Sequence, residues 1–418
     1  MPTNTTEIIG QSQPLAILLV MRDFPYPTTD GSRVDMWNRA LDLKAIGYSV
    51  DVIATFKEHP KPAELRVVQE KVDHLQIVRR KRGPRQMIAS IPLQVESRKS
   101  LRSLQLRRAY DVLILESEHV GTILDNPQLK VRSKILRLQN KESDYFRQLR
   151  LATRSLWRKA FYLMEEKRFV RYTAKLIKLC DILWFVSSQE LAKFRELDPQ
   201  SAKHTLFVPP SVDLSHMSQQ PLISNRVLFL GSLGLPNNEH AVTWLLEKVH
   251  PLLLGREGYL LQIAGNTMGA PLKDLRELIS RTKKTEFIEN PSCVDYLYSD
   301  SSVFVNPMLQ GAGVKLKTIE AIRFGLPVVS TSIGVEGTGL LNEEHVLIAD
   351  TSEAFAKAVG RLLDDRKFAA RLVQRAQSYL RTSFDGQRIM RASIESLAGS
   401  RNPSISELLP TPRTGGAG

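Results

Sequence analysis

The chain has 418 residues, 42% hydrophobic and 24% charged, with a formal net charge of +14. These are globular proportions, so wholesale disorder is excluded, and the length suits two or three domains whose core needs no disulfide or metal. Cys180 and Cys293 show no metal-ligand spacing, which excludes a zinc module and a disulfide framework, and no apolar run reaches the ~20 residues that span a bilayer.

Taken in order, residues 1–14 read as a disordered tail. The tail lacks a basic start, and the apolar run after it closes on Arg22-Asp23, so a buried strand is expected there rather than a signal peptide. With so few cysteines, the expected setting is cytoplasmic. Short Val, Ile and Leu runs predict strands at Ala16–Met21, Val50–Ala54, Val112–Leu115, Ile135–Leu138, Ile182–Val186 and Leu206–Val208. A second series follows at Val227–Leu230, Tyr259–Ala264, Val303–Asn306, Val328–Ser330 and Val346–Ile348. Helical patterns lie between them at Val34–Ala45, Ser143–Cys180, Asn238–Leu254, Leu272–Thr282, Val314–Phe324 and Ser352–Leu363. Alternation of this kind predicts an α/β fold of two doubly wound, Rossmann-like domains with parallel sheets. The expected boundaries are 15–213 for a basic first domain, 214–225 for a hinge and 226–384 for the second domain. A terminal helix over 385–400, able to pack back on the first domain, and a disordered tail over 401–418 complete the chain.

The charge is uneven. Arg66–Arg108 carries +9 and Lys130–Lys178 carries +11, leaving −6 for the rest. Such asymmetry points to a polyanionic partner, and an anionic membrane surface is favoured over nucleic acid because no zinc-finger spacing or RNA-binding aromatic motif accompanies the charge. A solvated basic face is the plainer alternative.

Doubly wound sheets bind ligands at the carboxyl ends of their strands, in a cleft where two such domains face each other. After the first strand, Asp30, Gly31, Ser32 and Arg33 lead into a helix. Gly31 permits close backbone approach and the helix start offers amides, although Gly-Ser is also an ordinary N-cap. After Val112–Leu115 come Glu116, Glu118 and His119, a polar cluster suited to substrate hydrogen bonding or to plain structure. Gly231-Ser232 after Val227–Leu230 suits a phosphate cradle or a tight turn. The most informative stretch is Gly311-Ala312-Gly313-Val314-Lys315-Leu316-Lys317 followed by Glu320. Lysines at a helix start oppose the macrodipole, so they make sense if an anion sits there beside the amides. Glu320, a turn further on, suits the vicinal hydroxyls of a ribose.

These residues carry a resemblance. Leu228-Phe229-Leu230-Gly231-Ser232 with Pro236-Asn237-Asn238, Val303 to Pro307, Gly311 to Lys317, Ile319-Glu320-Ala321, Gly325 to Thr331 and Gly334 to Gly337 resemble the donor-binding half of family 4 glycosyltransferases, which have the GT-B fold. Pro25-Tyr26-Pro27, Asp30 to Arg33, Asn140 to Ser143, Val186-Ser187-Ser188 and Val208 to Asp213 look like the first half of that family, more loosely. The resemblance implies transfer of a sugar from a nucleotide-sugar, with retention at the anomeric carbon and no bound metal or other cofactor. It implies donor contacts from Gly231, Ser232, Gly311, Gly313, Val314, Lys315, Lys317 and Glu320, with Lys315 also catalytic; the polar cluster after Val112–Leu115 adds Glu118 and His119 as expected catalytic residues beside the acceptor. A lipid-linked or saccharide acceptor would dock near Asp30, Gly31, Ser32 and Arg33, with the protein peripheral at the inner face of the membrane and assembling a cell-surface polysaccharide or glycolipid. No Asp-x-Asp occurs, in keeping with a metal-free diphosphate site.

The sequence departs from the family pattern in two places. Ala312 stands where many members have the first Glu of Glu-x7-Glu, as in a branch with a Gly-rich loop and lysines. Ser232 and the Asn237-Asn238 pair stand where many have Arg and Lys. Rival readings are a nucleotide-sugar epimerase or phosphorylase on the same fold, or a binding-only descendant. A nicotinamide oxidoreductase is disfavoured because Phe24–Arg33 contains no Gly-x-Gly-x-x-Gly.

Overall fold

The computed structural model describes residues 13–28, 31–81, 83, 89–139, 142–153, 155–200, 204–212, 214, 217–218, 224–311 and 313–397. Residues 1–12 of the first expected tail, the second expected tail, most of the expected link, Asp30 and Ala312 lie outside these residues. There are two compact units: the described residues up to Leu183 and from Ser393 onward form one, and Trp184–Ala392 form the other.

The elements run β1 (Ala16–Met21), α1 (Gly31–Ile46), β2 (Ser49–Phe56), α2 (Pro62–Gln69), β3 (His74–Arg79), α3 (Leu93–Glu96), β4 (Tyr110–Leu115), β5 (Val131–Leu138), α4 (Glu142–Ala152), α5 (Leu156–Leu179), β6 (Ile182–Phe185), α6 (Ser188–Leu197) and β7 (Thr205–Phe207). They continue through β8 (Arg226–Leu230), α7 (Pro236–Trp244), β9 (Leu260–Gly265), α8 (Lys273–Arg281), β10 (Thr285–Glu289), α9 (Asp295–Ser299), β11 (Val303–Asn306), α10 (Leu316–Arg323), β12 (Val328–Ser330), β13 (Leu347–Ile348), α11 (Ser352–Asp364), α12 (Arg366–Ser383) and α13 (Gly386–Leu397). One sheet has the order β3-β2-β1-β4-β5-β6-β7 and the other β10-β9-β8-β11-β12-β13. The registered pairs are parallel, for example Ile17 beside Val50 and Val112 in the first sheet, and Phe304 beside Leu228 and Val328 in the second.

Most inner strands are largely apolar because each sheet is covered on both faces, whereas β3 and β10 at the sheet edges mix polar and apolar residues. Side chains alternate across a strand, so neighbouring residues enter different cores. Val227, Phe229, Val303 and Val305 pack on one face of the second sheet, while Leu228 and Phe304 pack on the other. This layering places the carboxyl ends of β8 and β11 in one surface, where the loops that begin at Gly231 and Pro307 emerge.

In the first unit the carboxyl ends of β4 and β5 rest on buried charge. Arg39 Nε lies 2.5 Å from Glu116 Oε1, and Arg39 and Arg137 reach the two oxygens of Asp35 at 2.7 and 2.8 Å. Arg39, Glu116 and Arg137 are fully buried. Glu116 therefore sits under the polar cluster expected after β4, as the counter-charge of two arginines. Removing it by Glu116→Ala leaves both guanidiniums sharing Asp35 in a desolvated setting, and should cost about 3–5 kcal/mol in urea unfolding. A loss below about 1 kcal/mol would show that the cluster is not a unit.

Candidate functional site

The loop before α10 is organised by its lysines. Lys315 precedes the helix as its N-cap residue, so Val314 and Lys315 lie before the helical turn rather than within it. The buried Lys315 ammonium donates to the Gly313 carbonyl at 2.6 Å and the Gly311 carbonyl at 3.4 Å, and lies 3.8 Å from Glu336. Burial lowers its pKa, against the attraction of Glu336. Gly311 has φ +124, and a Cβ there would meet Met308 Cε at 3.1 Å and Asn237 Nδ2 at 3.2 Å, so glycine is the residue this turn admits.

Lys317, in the first turn of α10, is held differently. Its Nζ donates to Asn238 Oδ1 at 2.7 Å and stands 4.8 Å from the centre of the Phe229 ring. A Cβ placed on Gly231 would be 3.2 Å from that ammonium. Among the described residues no carboxylate pairs with it. Enclosure by protein, and then the neighbouring Lys315 charge, push its pKa down to about 7. Asn238 also donates from Nδ2 to the Ser232 carbonyl at 2.9 Å, joining α10 to the turn after β8. That turn is tight: a Cβ on Gly265 would fall 1.7 Å from the Gly231 carbonyl oxygen. The Gly231 amide is engaged by Ala264 at 3.1 Å, so it is the absence of a side chain at Gly231, rather than its N–H, that opens the site. In the first turn of α10 the Thr318 amide donates to the Lys315 carbonyl at 3.0 Å, which leaves the Leu316 and Lys317 amides without an intrahelical acceptor. Glu320 is partly exposed, and its Oε2 accepts from Arg323 Nε at 2.8 Å.

Gly231, Ser232, Gly311, Gly313, Lys315 and Lys317 are thus brought together by β8, β11 and α10, with Glu320 a turn along α10. The arrangement offers an ammonium and helix-start amides to an anion, a glycine-floored approach and a nearby carboxylate. Asn238 is the residue whose role composition did not reveal: it aims Lys317 from another element.

In the first unit, Gly31 and Ser32 open α1, and the Ser32 hydroxyl accepts from Arg22 Nε and Nη2 at 3.1 and 2.7 Å. Arg33 lies 3.5 Å from Asp23. Three donors converge on the Arg22 carbonyl: Thr55 Oγ1 at 2.6 Å, Arg80 Nη2 at 2.7 Å and Arg98 Nη2 at 2.7 Å. Glu118 and His119 begin a short 3-10 turn after β4. Glu118 is buried and accepts from Thr173 Oγ1 at 2.5 Å, a contact inside the fold. His119 Nε2 is 3.5 Å from Glu142 Oε1, and burial holds its pKa below the usual imidazole value, reinforced by Arg98 and Arg22 against the pull of Glu142. The arginines 22, 80 and 98 were not singled out in the sequence; they come from three separate segments, and only the fold collects them. Glu142 was visible as part of the Asn140-Lys141-Glu142-Ser143 likeness. Among the described residues no group of three or more His, Cys, Asp or Glu is placed to hold a metal ion.

Residues 224–365 match the family described as Glycosyl transferases group 1. Over 386 residues the chain is 32% identical to an "Uncharacterized 44.6 kDa protein in cps region" of Klebsiella pneumoniae, covering 89% of this chain and 97% of that one. Among solved structures, Anabaena Alr3699/HepE in complex with UDP-glucose superposes with a TM-score of 0.59 at 12% identity, over 92% of this chain and 99% of that one. A TarM variant from S. aureus, in complex with Fondaparinux, alpha-GlcNAc-glycerol and UDP, gives 0.62 at 8% identity, over 92% and 100%. The two sheets of seven and six parallel strands are those of the GT-B fold.

Proposed function

The chain belongs to the glycosyl transferases group 1 family, and from that premise we propose that it transfers a sugar, with retention and without a metal, from a nucleotide-sugar to a saccharide or lipid-linked acceptor. The observation that carries the reading is the Lys317 ammonium, held by Asn238 against the open floor of Gly231 at the start of α10. A diphosphate placed there meets that ammonium and the Leu316 and Lys317 amides at the helix start, and developing leaving-group charge is stabilised by donors already in position. Lys315 orders the Gly311–Gly313 loop around the phosphates, Ser232 and Val314 line their approach, and Glu320 takes the ribose hydroxyls. The departures from the family pattern fit this arrangement. With Ser232 and Asn238 in the usual cation positions, the cation arrives from α10 and an asparagine aims it.

Gly31, Ser32 and Arg33, with Arg22, offer hydrogen bonds to acceptor hydroxyls, and Asp30 belongs to the same segment. The neutral His119 imidazole beside Glu142 suits the proton that the acceptor hydroxyl loses. HepE was solved with UDP-glucose and TarM with UDP, and the Klebsiella relative belongs to a cps region. These support a nucleotide-sugar donor and a cell-surface polysaccharide or glycolipid product. The excess of basic residues in the first unit supports attachment at the inner, anionic face of a membrane.

Thermal-shift titration with UDP, GDP, ADP, CMP, dTDP and their sugars tests the donor site. A ligand at about 100 times its Kd should stabilise by roughly 2.7 kcal/mol, and Glu320→Ala should lose most of that gain for one nucleotide family. No response to any nucleotide removes the reading. Turnover of the sugar without acceptor replaces transfer by epimerisation.

A further inference from the structure

We propose that the outer face of α5 lies in the surface of an anionic membrane, with Leu151, Leu156 and Trp157 as its inserted end. The proposal rests on the membrane attachment read above and names the element responsible.

Helix α5 packs inward through Glu165, Phe169, Tyr172 and Leu176, all buried and spaced to fall on one side of the helix. At 3.6 residues per turn, the opposite side carries Leu156, Ala160, Leu163, Val170 and Ala174, and every one of these is exposed. This stripe, with Lys167 set between Leu163 and Val170, runs about 27 Å along the axis. Its end is the most apolar: Leu151, Leu156 and Trp157 are 71, 80 and 87% exposed. Nothing in the folding of a water-soluble helical pair requires a tryptophan there.

Charge complementarity identifies the occupant. From Glu142 to Lys178 there are ten Lys and Arg against four carboxylates. All four carboxylates are engaged within the fold. Glu142 faces His119, Asp144 faces Arg147, Glu165 holds Arg168 and the Leu93 amide, and Glu166 holds Arg147 and Arg150. On the outer side, Lys167 and Lys178 lie within the stripe and Lys159 and Arg171 flank it, and none of the four makes an ion pair among the described residues. A second copy of α5 laid on this face would bring cations against cations. Nucleic acid would satisfy the cations but leave the stripe and Trp157 without an apolar partner. An anionic bilayer surface satisfies both: acyl chains take the leucines, the interface takes Trp157 and headgroups take the ammonium and guanidinium groups. No helix among the described residues is long and apolar enough to cross a membrane, so α5 would lie on the surface.

The test is flotation of the full chain with vesicles of phosphatidylcholine, alone or with about one-third phosphatidylglycerol. Binding is expected only with the anionic lipid, and weakening with salt. Trp37 and Trp184 are buried and Trp244 partly so. A blue shift of emission on vesicle binding should therefore vanish in Trp157→Phe. Combining Lys159→Gln, Lys167→Gln and Arg171→Gln should lower partitioning by about fivefold per cation, roughly 100-fold in all. Combining Leu156→Ser and Trp157→Ser should also abolish binding without lowering the unfolding midpoint, because these side chains are 80 and 87% exposed. Vesicle binding that survives both sets overturns the proposal. So does an α5-dependent dimer without lipid, or RNA binding lost in these variants with no vesicle binding. Nucleotide stabilisation measured on the same variants separates the two readings: absent lipid binding with intact nucleotide binding rejects only α5, and the converse rejects only the donor site.

Discussion

Lys317→Met is expected to lower kcat/KM for the nucleotide-sugar by about 10²–10³-fold while leaving the unfolding midpoint unchanged or raised. The two halves of this expectation come from the same geometry. Without a ligand, the Lys317 ammonium has one neutral acceptor, Asn238 Oδ1, and an aromatic face at 4.8 Å; this is poor compensation for lost hydration. Methionine keeps the length and apolar stem of the side chain and removes the charge. The folded protein loses one hydrogen bond and the desolvation penalty together. The diphosphate, in contrast, loses the cation that meets its developing charge. Lys315→Met should behave in the opposite manner: that ammonium ties the Gly311 and Gly313 carbonyls and faces Glu336, so its removal loosens the loop and lowers stability as well. Steady-state kinetics and thermal unfolding on the two variants check this. Wild-type turnover in Lys317→Met would move the phosphate site away from α10.

The architecture was legible in the sequence where the sheets are buried on both faces. The inner strands announce themselves as runs of Val, Ile and Leu, and every one of those expected is present. The two strands not anticipated, β3 and β10, are the first strands of their sheets' orders, each hydrogen-bonded on one side only. His74–Arg79 and Thr285–Glu289 are mostly half-buried and mix polar with apolar residues, so no apolar run marks them. The long helix expected over Ser143–Cys180 is two helices, because Ser155 caps α5 by accepting from the Arg158 amide. An amphipathic pattern continues across such a break when both helices pack on the same body. The donor-type loop was readable because Gly, Lys and Glu at a strand-to-helix junction form a local pattern. Its aiming residue was not, since the Asn238–Lys317 bond joins positions 79 apart in the chain. Glu118 was picked out by its place after a strand, whereas its hydrogen bond from Thr173 on α5 is a tertiary contact that no local pattern reports.

Donor binding at pH 8 is expected to take up close to one proton per site, and the affinity to fall by about tenfold per pH unit between 7 and the pKa of the complex. Enclosure and Lys315 hold Lys317 near 7 in the free protein, so at pH 8 most molecules carry it neutral. A diphosphate at hydrogen-bonding distance favours the charged form and restores the pKa towards the ordinary lysine range. The sign for the free protein is the reverse. Because the folded pKa lies below the unfolded one, the unfolded chain binds the extra proton between about pH 7 and 10.5. Stability from this group is therefore greatest above that window, falls by about 1.4 kcal/mol per pH unit through it and is level below pH 7. Titration calorimetry with the nucleotide in two buffers of different ionisation enthalpy measures the uptake directly. The difference in stability between wild type and Lys317→Met across the same window isolates the lysine from other titrating groups. Heat independent of buffer, together with a flat stability difference, would mean that Lys317 is already charged in the free protein. The ammonium would then be a standing counter-ion rather than one recruited by the donor.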